Sequence, residues 1–343
     1  MKKVSLFVLV MLLIVSLATG CSAVASGDKE GDTIKFVWYP NESGEDMKVA
    51  RDEIGKIIEQ ATGKKVEHQL TTDYTIAIES IANGNAHLAF PGAQGYIEAH
   101  NKNKNVLPLF VNSGASGTLQ DAVYHSWLNV KKGNEDQYKS GSAYSLDNIA
   151  GKKFSFVSTS STSGFKVPSS GLVSYFSKKD QWKNLKQEDL LEGGRGKFFS
   201  QVQYGGSHQG SAVNLLTDKV DVAAFSDVNL ANYVELAEGK ANTPGAVYKI
   251  RKDAAEPFNK LPGAEFVVIS VTPVLNAPFI MNSDVLSEKS RDAIIQAFTS
   301  EEVAKNPKIF IPKDSKDKGM FKAPERFLKV DDAWFNPIRE LSK

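Results

Sequence analysis

Between residues 155 and 171 the sequence reads SFVSTSSTSGFKVPSSG, a concentration of Ser and Thr directly after an apolar run. Hydroxyl groups can hold an anion by donating to it without adding charge of their own. With a strand ending at Val157 and a helix beginning near Ser161 to Gly164, the first-turn N–H groups have no intrahelical partners. They then join the hydroxyls as an oxyanion cradle. Gly164 is expected to let the backbone approach a ligand closely. The bland alternative is an N-cap followed by a solvated loop, and composition alone fits both.

Other chemistry-bearing patterns are sparse. The five histidines, at 68, 87, 100, 125 and 208, show no metal-ligand spacing, and neither HExxH nor GxSxG occurs. No metal and no cofactor is expected, and the chain reads as a non-enzyme. The enzymatic rival would need His208 to meet a remote Ser and Asp in space. Lys and Arg number 41 against 40 Asp and Glu, for a net charge of +1. Such balance gives no support to nucleic acid as a partner.

The amino terminus sets the compartment. Lys2 and Lys3 precede an apolar stretch from Val4 to Leu17, and LATGC then ends at Cys21, the one cysteine of the chain. A positive start, a short apolar core and small residues before the cysteine make a secretory leader of the lipoprotein kind. Residues 1–20 are the expected signal peptide and Cys21 the lipidation site. Residues 21–33, small and polar, then form a tether at the outer face of the cytoplasmic membrane. A lone cysteine excludes a disulfide within the chain. The lipid is the one expected membrane contact.

The remaining length exceeds one compact domain, so two lobes are expected. IKFVWY reads as a strand. Apolar residues at Met47, Ala50, Ile54, Ile57, Ile58 and Ala61 make one buried helical face, closed by Gly63. KKVEHQL, YTIAIESIANG, AHLAF, GYIEAHNKN and VLPLFV continue a strand–helix alternation that indicates an α/β body. A second series starts at GKKFSFV and runs through the Ser/Thr stretch, FSQVQY, a helix over about 209–217 and VDVAAF. Two long β-rich runs, AVYHSWLNVKKG and EFVVISVTPVLNAPFIM, are placed to cross between lobes around 124–130 and 268–276. The expected division is residues 34–125 with 272–343 as lobe 1, and 126–271 as lobe 2. A double crossing gives a hinge and a cleft.

Four segments in register, DYTIAIESIANGNAHLAF, STSGFKVP, GSHQGSAVNLLTDKVDVAAF and VDDAWFNPIREL, resemble the phosphonate and phosphite solute-binding proteins of ABC importers. The resemblance runs from about Ile34 to Leu341. It implies a type II periplasmic-binding-protein fold, with two mixed sheets flanked by helices and two hinge crossings. It also implies oxyanion contacts from Ser161, Thr162 and Ser163, with Tyr74 and His208 in the site and Glu42 and Ser43 on the opening loop. Departures lie opposite the cradle: Pro91 stands where an aromatic is common, Asp227 falls one residue early for an amine partner, and Asn276 replaces an Asp.

An α-amino acid satisfies the same physics. Its carboxylate would take the cradle, its ammonium Asp227 or Glu42, and Phe90, Trp127, Tyr74 or Phe225 would enclose its side chain. The lack of basic residues in these motifs favours a monoanionic or zwitterionic head, so the sequence leans to an amino acid, with a phosphonate or phosphite as alternative. The expected partners are that solute and an ABC permease, with the protein itself monomeric. A surface adhesin touching host or neighbouring cells, on the same fold, is the remaining reading.

Overall fold

A computed structural model describes residues 31–341 apart from Asp314 and Lys316; the leader, Cys21 and most of the tether lie outside the described residues. The chain starts in β1 (Thr33–Trp38), whose Phe36 and Trp38 are fully buried, and enters α1 (Lys48–Thr62). Met47, Ala50, Ile54, Ile57 and Ile58 form the buried stripe that their spacing predicts, Ala61 being only half-buried, and Gly63 ends the helix at φ +72°. β2 (Lys65–Leu70) is followed by α2 (Tyr74–Ala82), capped by Asp73, whose carboxylate accepts from the Thr75 and Ile76 N–H groups. β3 (Leu88–Phe90), α3 (Ala93–Lys102) and β4 (Val106–Asn112) complete this series.

The second series comprises β5 (Val123–Lys131), β6 (Lys153–Phe156), α4 (Val167–Phe176) and β7 (Gln201–Tyr204). It continues with α5 (His208–Leu216), β8 (Val222–Ser226), β9 (Val234–Glu238), β10 (Val247–Ile250) and β11 (Glu265–Leu275). The chain then returns to the first lobe as β12 (Pro278–Asn282), α6 (Glu288–Phe298), β13 (Phe327–Lys329) and α7 (Asn336–Glu340).

The strands make two mixed sheets, in the orders β13-β4-β12-β3-β1-β2 and β9-β10-β11-β5-β8-β6-β7. β1 runs parallel to β2 and β3, and β6 parallel to β7 and β8, whereas β12 and β5 are antiparallel to both neighbours. Apolar clusters cover both faces of each sheet, so each lobe has its own core. The chain passes between sheets through 113–122 and 276–277. β5 and β11 stay paired from Lys131 with Phe266 to Val123 with Leu275. The first crossing therefore lies just before the expected division at 125/126 and the second just after that at 271/272, and the runs around 124–130 and 268–276, expected to cross, stay in the second lobe's sheet up to Leu275. Among the described residues no helix is long and apolar enough to cross a membrane.

Candidate ligand-binding site

The second-lobe wall begins where β6 leaves its sheet. Thr162–Lys166 form one wide helical turn that runs directly into α4, and the Ser161 hydroxyl caps it by accepting from Gly164 N at 3.1 Å. First-turn N–H groups of such a helix have no intrahelical acceptor. Ser126 on β5 braces the turn by donating Oγ to the Ser163 carbonyl at 2.7 Å. Ser161, Thr162 and Ser163 are all buried and all line one cavity between the lobes. His208, first residue of α5, lines it too. Its Nδ1 accepts from Ser226 N at 3.0 Å, so a neutral ring must carry its proton on Nε2, which lies 3.5 Å from Ser163 Oγ. Burial pushes the imidazole down to about 3, leaving a neutral donor beside the cradle.

The first lobe supplies the opposite wall. Tyr74 starts α2, packs against Tyr39 with centroids 4.2 Å apart and rings tilted by 50°, and its hydroxyl oxygen accepts from Asn41 Nδ2 at 2.7 Å. Glu42 is buried on the loop after β1, with Oε1 taking Asn229 Nδ2 of the second lobe at 3.1 Å and Oε2 left without a protein partner. Burial raises its carboxyl to about 8. Phe90, Pro91, Met320 and Phe321 form the apolar part, and Asn276 borders it with its amide donating to the Asn112 carbonyl at 2.8 Å. Tyr124, at the start of β5, sets its hydroxyl against Ser163 and Thr162.

The lobes meet directly around this cavity. Gln94 N, in the first turn of α3, donates to Thr162 Oγ1 at 2.9 Å, and His208 N, in the first turn of α5, donates to Asn41 Oδ1 at 3.1 Å. Each lobe thus caps a helix of the other. Gln209 Nε2 adds a bond to the Asn41 carbonyl at 3.1 Å. Gly92 permits the approach, since a Cβ there would sit 2.7 Å from Thr162 Oγ1.

Five expectations are corrected. Trp127 and Phe225 lie in the second lobe's core, not in the cavity: Ser126 and Ser226 point to the cradle side, and side chains alternate along a strand, so their neighbours face away. Trp127 packs on Tyr248 at 4.6 Å and donates Nε1 to Asn242 Oδ1. Asp227 is spent on structure, accepting from His125 N, His125 Nδ1, Val228 N and Asn242 Nδ2, and does not line the cavity. Ser43 ties down its loop by donating to the Tyr39 carbonyl at 2.9 Å. Gly164 makes room for Val157 rather than a ligand, since a Cβ would lie 2.3 Å from Val157 Cγ2.

The cavity holds about 80 Å³. That is the scale of a small solute. No Lys or Arg lines it. The nearest guanidinium, that of Arg51, is buried behind the opening loop and donates to the Glu42 and Gly44 carbonyls. Among the described residues no group of His, Cys, Asp and Glu is arranged to hold a metal.

A profile of ABC-transporter periplasmic substrate-binding proteins for phosphonate matches residues 36–334. The chain belongs to this family. A curated relative, the phosphate-import protein PhnD of Mycolicibacterium smegmatis, is 33% identical over 167 residues; the match covers 47% of this chain and 48%, about half, of that protein. Among solved structures, a binding-protein component of a phosphonate ABC transporter from Pseudomonas aeruginosa superposes with a TM-score of 0.61 at 20% identity, over 90% of this chain and 85% of that one. PhnD1 of Prochlorococcus marinus, in complex with methylphosphonate, gives 0.60 at 15% identity, over 90% and 97%. These likenesses establish the two-lobed fold. None points to an amino acid or to host contact.

Proposed function

We propose that this protein is the extracytoplasmic receptor of an ABC importer, and that it closes its lobes around a small phosphorus oxyanion of the phosphonate, phosphite or phosphate type. The observation that carries this reading is the Ser161–Thr162–Ser163 turn at a helix start, which lines one small cavity together with His208, whose Nε2 lies 3.5 Å from Ser163 Oγ. Donors of this kind stabilise an anion without a cation. An amino acid loses Asp227, which is engaged with His125, and Trp127 and Phe225, which lie in the core, from its expected partners. The ligand-bearing, closed form would dock on a membrane permease, and Cys21 would anchor the chain by lipid.

A thermal-shift panel tests the reading. A ligand present at a hundred times its Kd stabilises the folded state by about 2.7 kcal/mol. Methylphosphonate, phosphite or phosphate should therefore raise Tm by several degrees, and amino acids should leave it unchanged. A panel in which amino acids shift Tm and the phosphorus oxyanions do not would refute the assignment.

A further inference from the structure

Resting on the oxyanion reading above, we propose that Glu42 enters the complex as a protonated carboxyl and donates a hydrogen bond from Oε2 to the bound anion. The argument begins with what its two oxygens meet. Oε1 accepts Asn229 Nδ2 from across the cleft, while Oε2 is buried and has no partner in the protein. A carboxylate would leave Oε2 as an acceptor that a fully ionised ligand, having no P–OH, cannot supply with a donor and would repel. A carboxyl carrying its proton on Oε2 offers a donor in need of an acceptor, which an oxyanion supplies. One buried atom without a partner is thereby satisfied.

The surroundings favour the neutral form. Arg51 is the cation closest to the loop, but its guanidinium is committed to the backbone carbonyls of Glu42 and Gly44 rather than to the carboxylate. Tyr39, Tyr74 and Tyr124 are buried phenols held in their neutral form, and His208 is a neutral imidazole. Asp46 and Asp227 add negative charge from either lobe; neither lines the cavity. Burial lifts Glu42 to about 8 even against Arg51 and the Asn229 and Asn41 amides, which favour the charged form, and a bound anion raises it further.

Such a carboxyl makes binding proton-linked in alkaline solution. Above the apo carboxyl's titration, the free protein has lost a proton that the complex must regain. Isothermal titration of methylphosphonate at pH 9 in two buffers of different ionisation heat counts that uptake. The wild type should take up about one proton more than Glu42→Gln, whose amide supplies a fixed donor at the same place. An equal count in both proteins would overturn the proposal. A measurement on the wild type alone guards against misfolding of the variant: the infrared difference spectrum on adding methylphosphonate at pH 9 should gain a protonated-carboxyl C=O band, and its absence would also overturn it. Absence of any binding by the wild type to methylphosphonate, phosphite or phosphate is a different failure, since it removes the oxyanion reading itself and the proposal with it.

Discussion

The two walls of the cleft are built on different principles. The second-lobe wall is a set of polar donors, each fixed by a hydrogen bond within that lobe: Ser161 by Gly164 N, Ser163 through its carbonyl by the Ser126 hydroxyl, His208 by Ser226 N. The first-lobe wall is a loop and an apolar roof from which Asn41 reaches across to His208 and Gln209, and Glu42 Oε1 to Asn229. One wall holds and the other closes. Affinity in such a device is the product of contact with the ligand and the stability of the closed form.

The largest expected effect comes from the residue that serves both walls. Thr162 Oγ1 accepts from Gln94 N, and on the oxyanion reading its own proton goes to the ligand. Thr162→Val keeps the shape and removes both bonds. Loss of one hydrogen bond to a charged partner costs ~1.5–3 kcal/mol, so Kd for methylphosphonate should rise roughly ten- to a hundred-fold by calorimetry. A change of less than two-fold would mean that the cradle does not touch the ligand.

A smaller effect isolates closure from contact. Gln209 is buried, bonds to the Asn41 carbonyl and does not line the cavity. Gln209→Ala removes one neutral cross-lobe hydrogen bond, ~1 kcal/mol, and should weaken binding roughly five-fold. Spin-label distances between lobes should show a smaller closed population in the absence of ligand. If Kd stays constant while that population falls, ligand contact alone sets affinity and the division of labour between walls is wrong.

The same contrast explains what the sequence revealed. The α/β alternation, the helical stripe of α1 and the cradle were legible because each is a local pattern: a strand, a cap and a run of hydroxyls lie within a few residues of one another. Asn41 and the Glu42–Asn229 pair carried no local signal, since the partners concerned lie 33 to 187 residues apart. The roof residues Met320 and Phe321 sit in a stretch without periodicity and reach the cavity through tertiary folding alone. Trp127 and Phe225 were misread for a simpler reason. Their type suited a ligand wall, but strand alternation had already assigned Ser126 and Ser226 to that side.

Asp227 provides the smallest expected effect on binding and the sharpest check on that lesson. It stands at the cleft-side end of β8, where an acidic residue would suit a ligand amine, yet its carboxylate accepts four hydrogen bonds from His125, Val228 and Asn242. Asp227→Asn places an amide donor where Oδ1 or Oδ2 now receives donors, leaving at least one of them unmet. The fold should lose ~1–3 kcal/mol, seen as a lower Tm, while Kd for methylphosphonate changes by less than two-fold. The opposite pattern, an unchanged Tm with a Kd ten-fold higher, would put Asp227 in contact with the ligand. It would also bring the ammonium-binding arrangement back, because a carboxylate that is free to meet a ligand cannot at the same time be holding His125 in place.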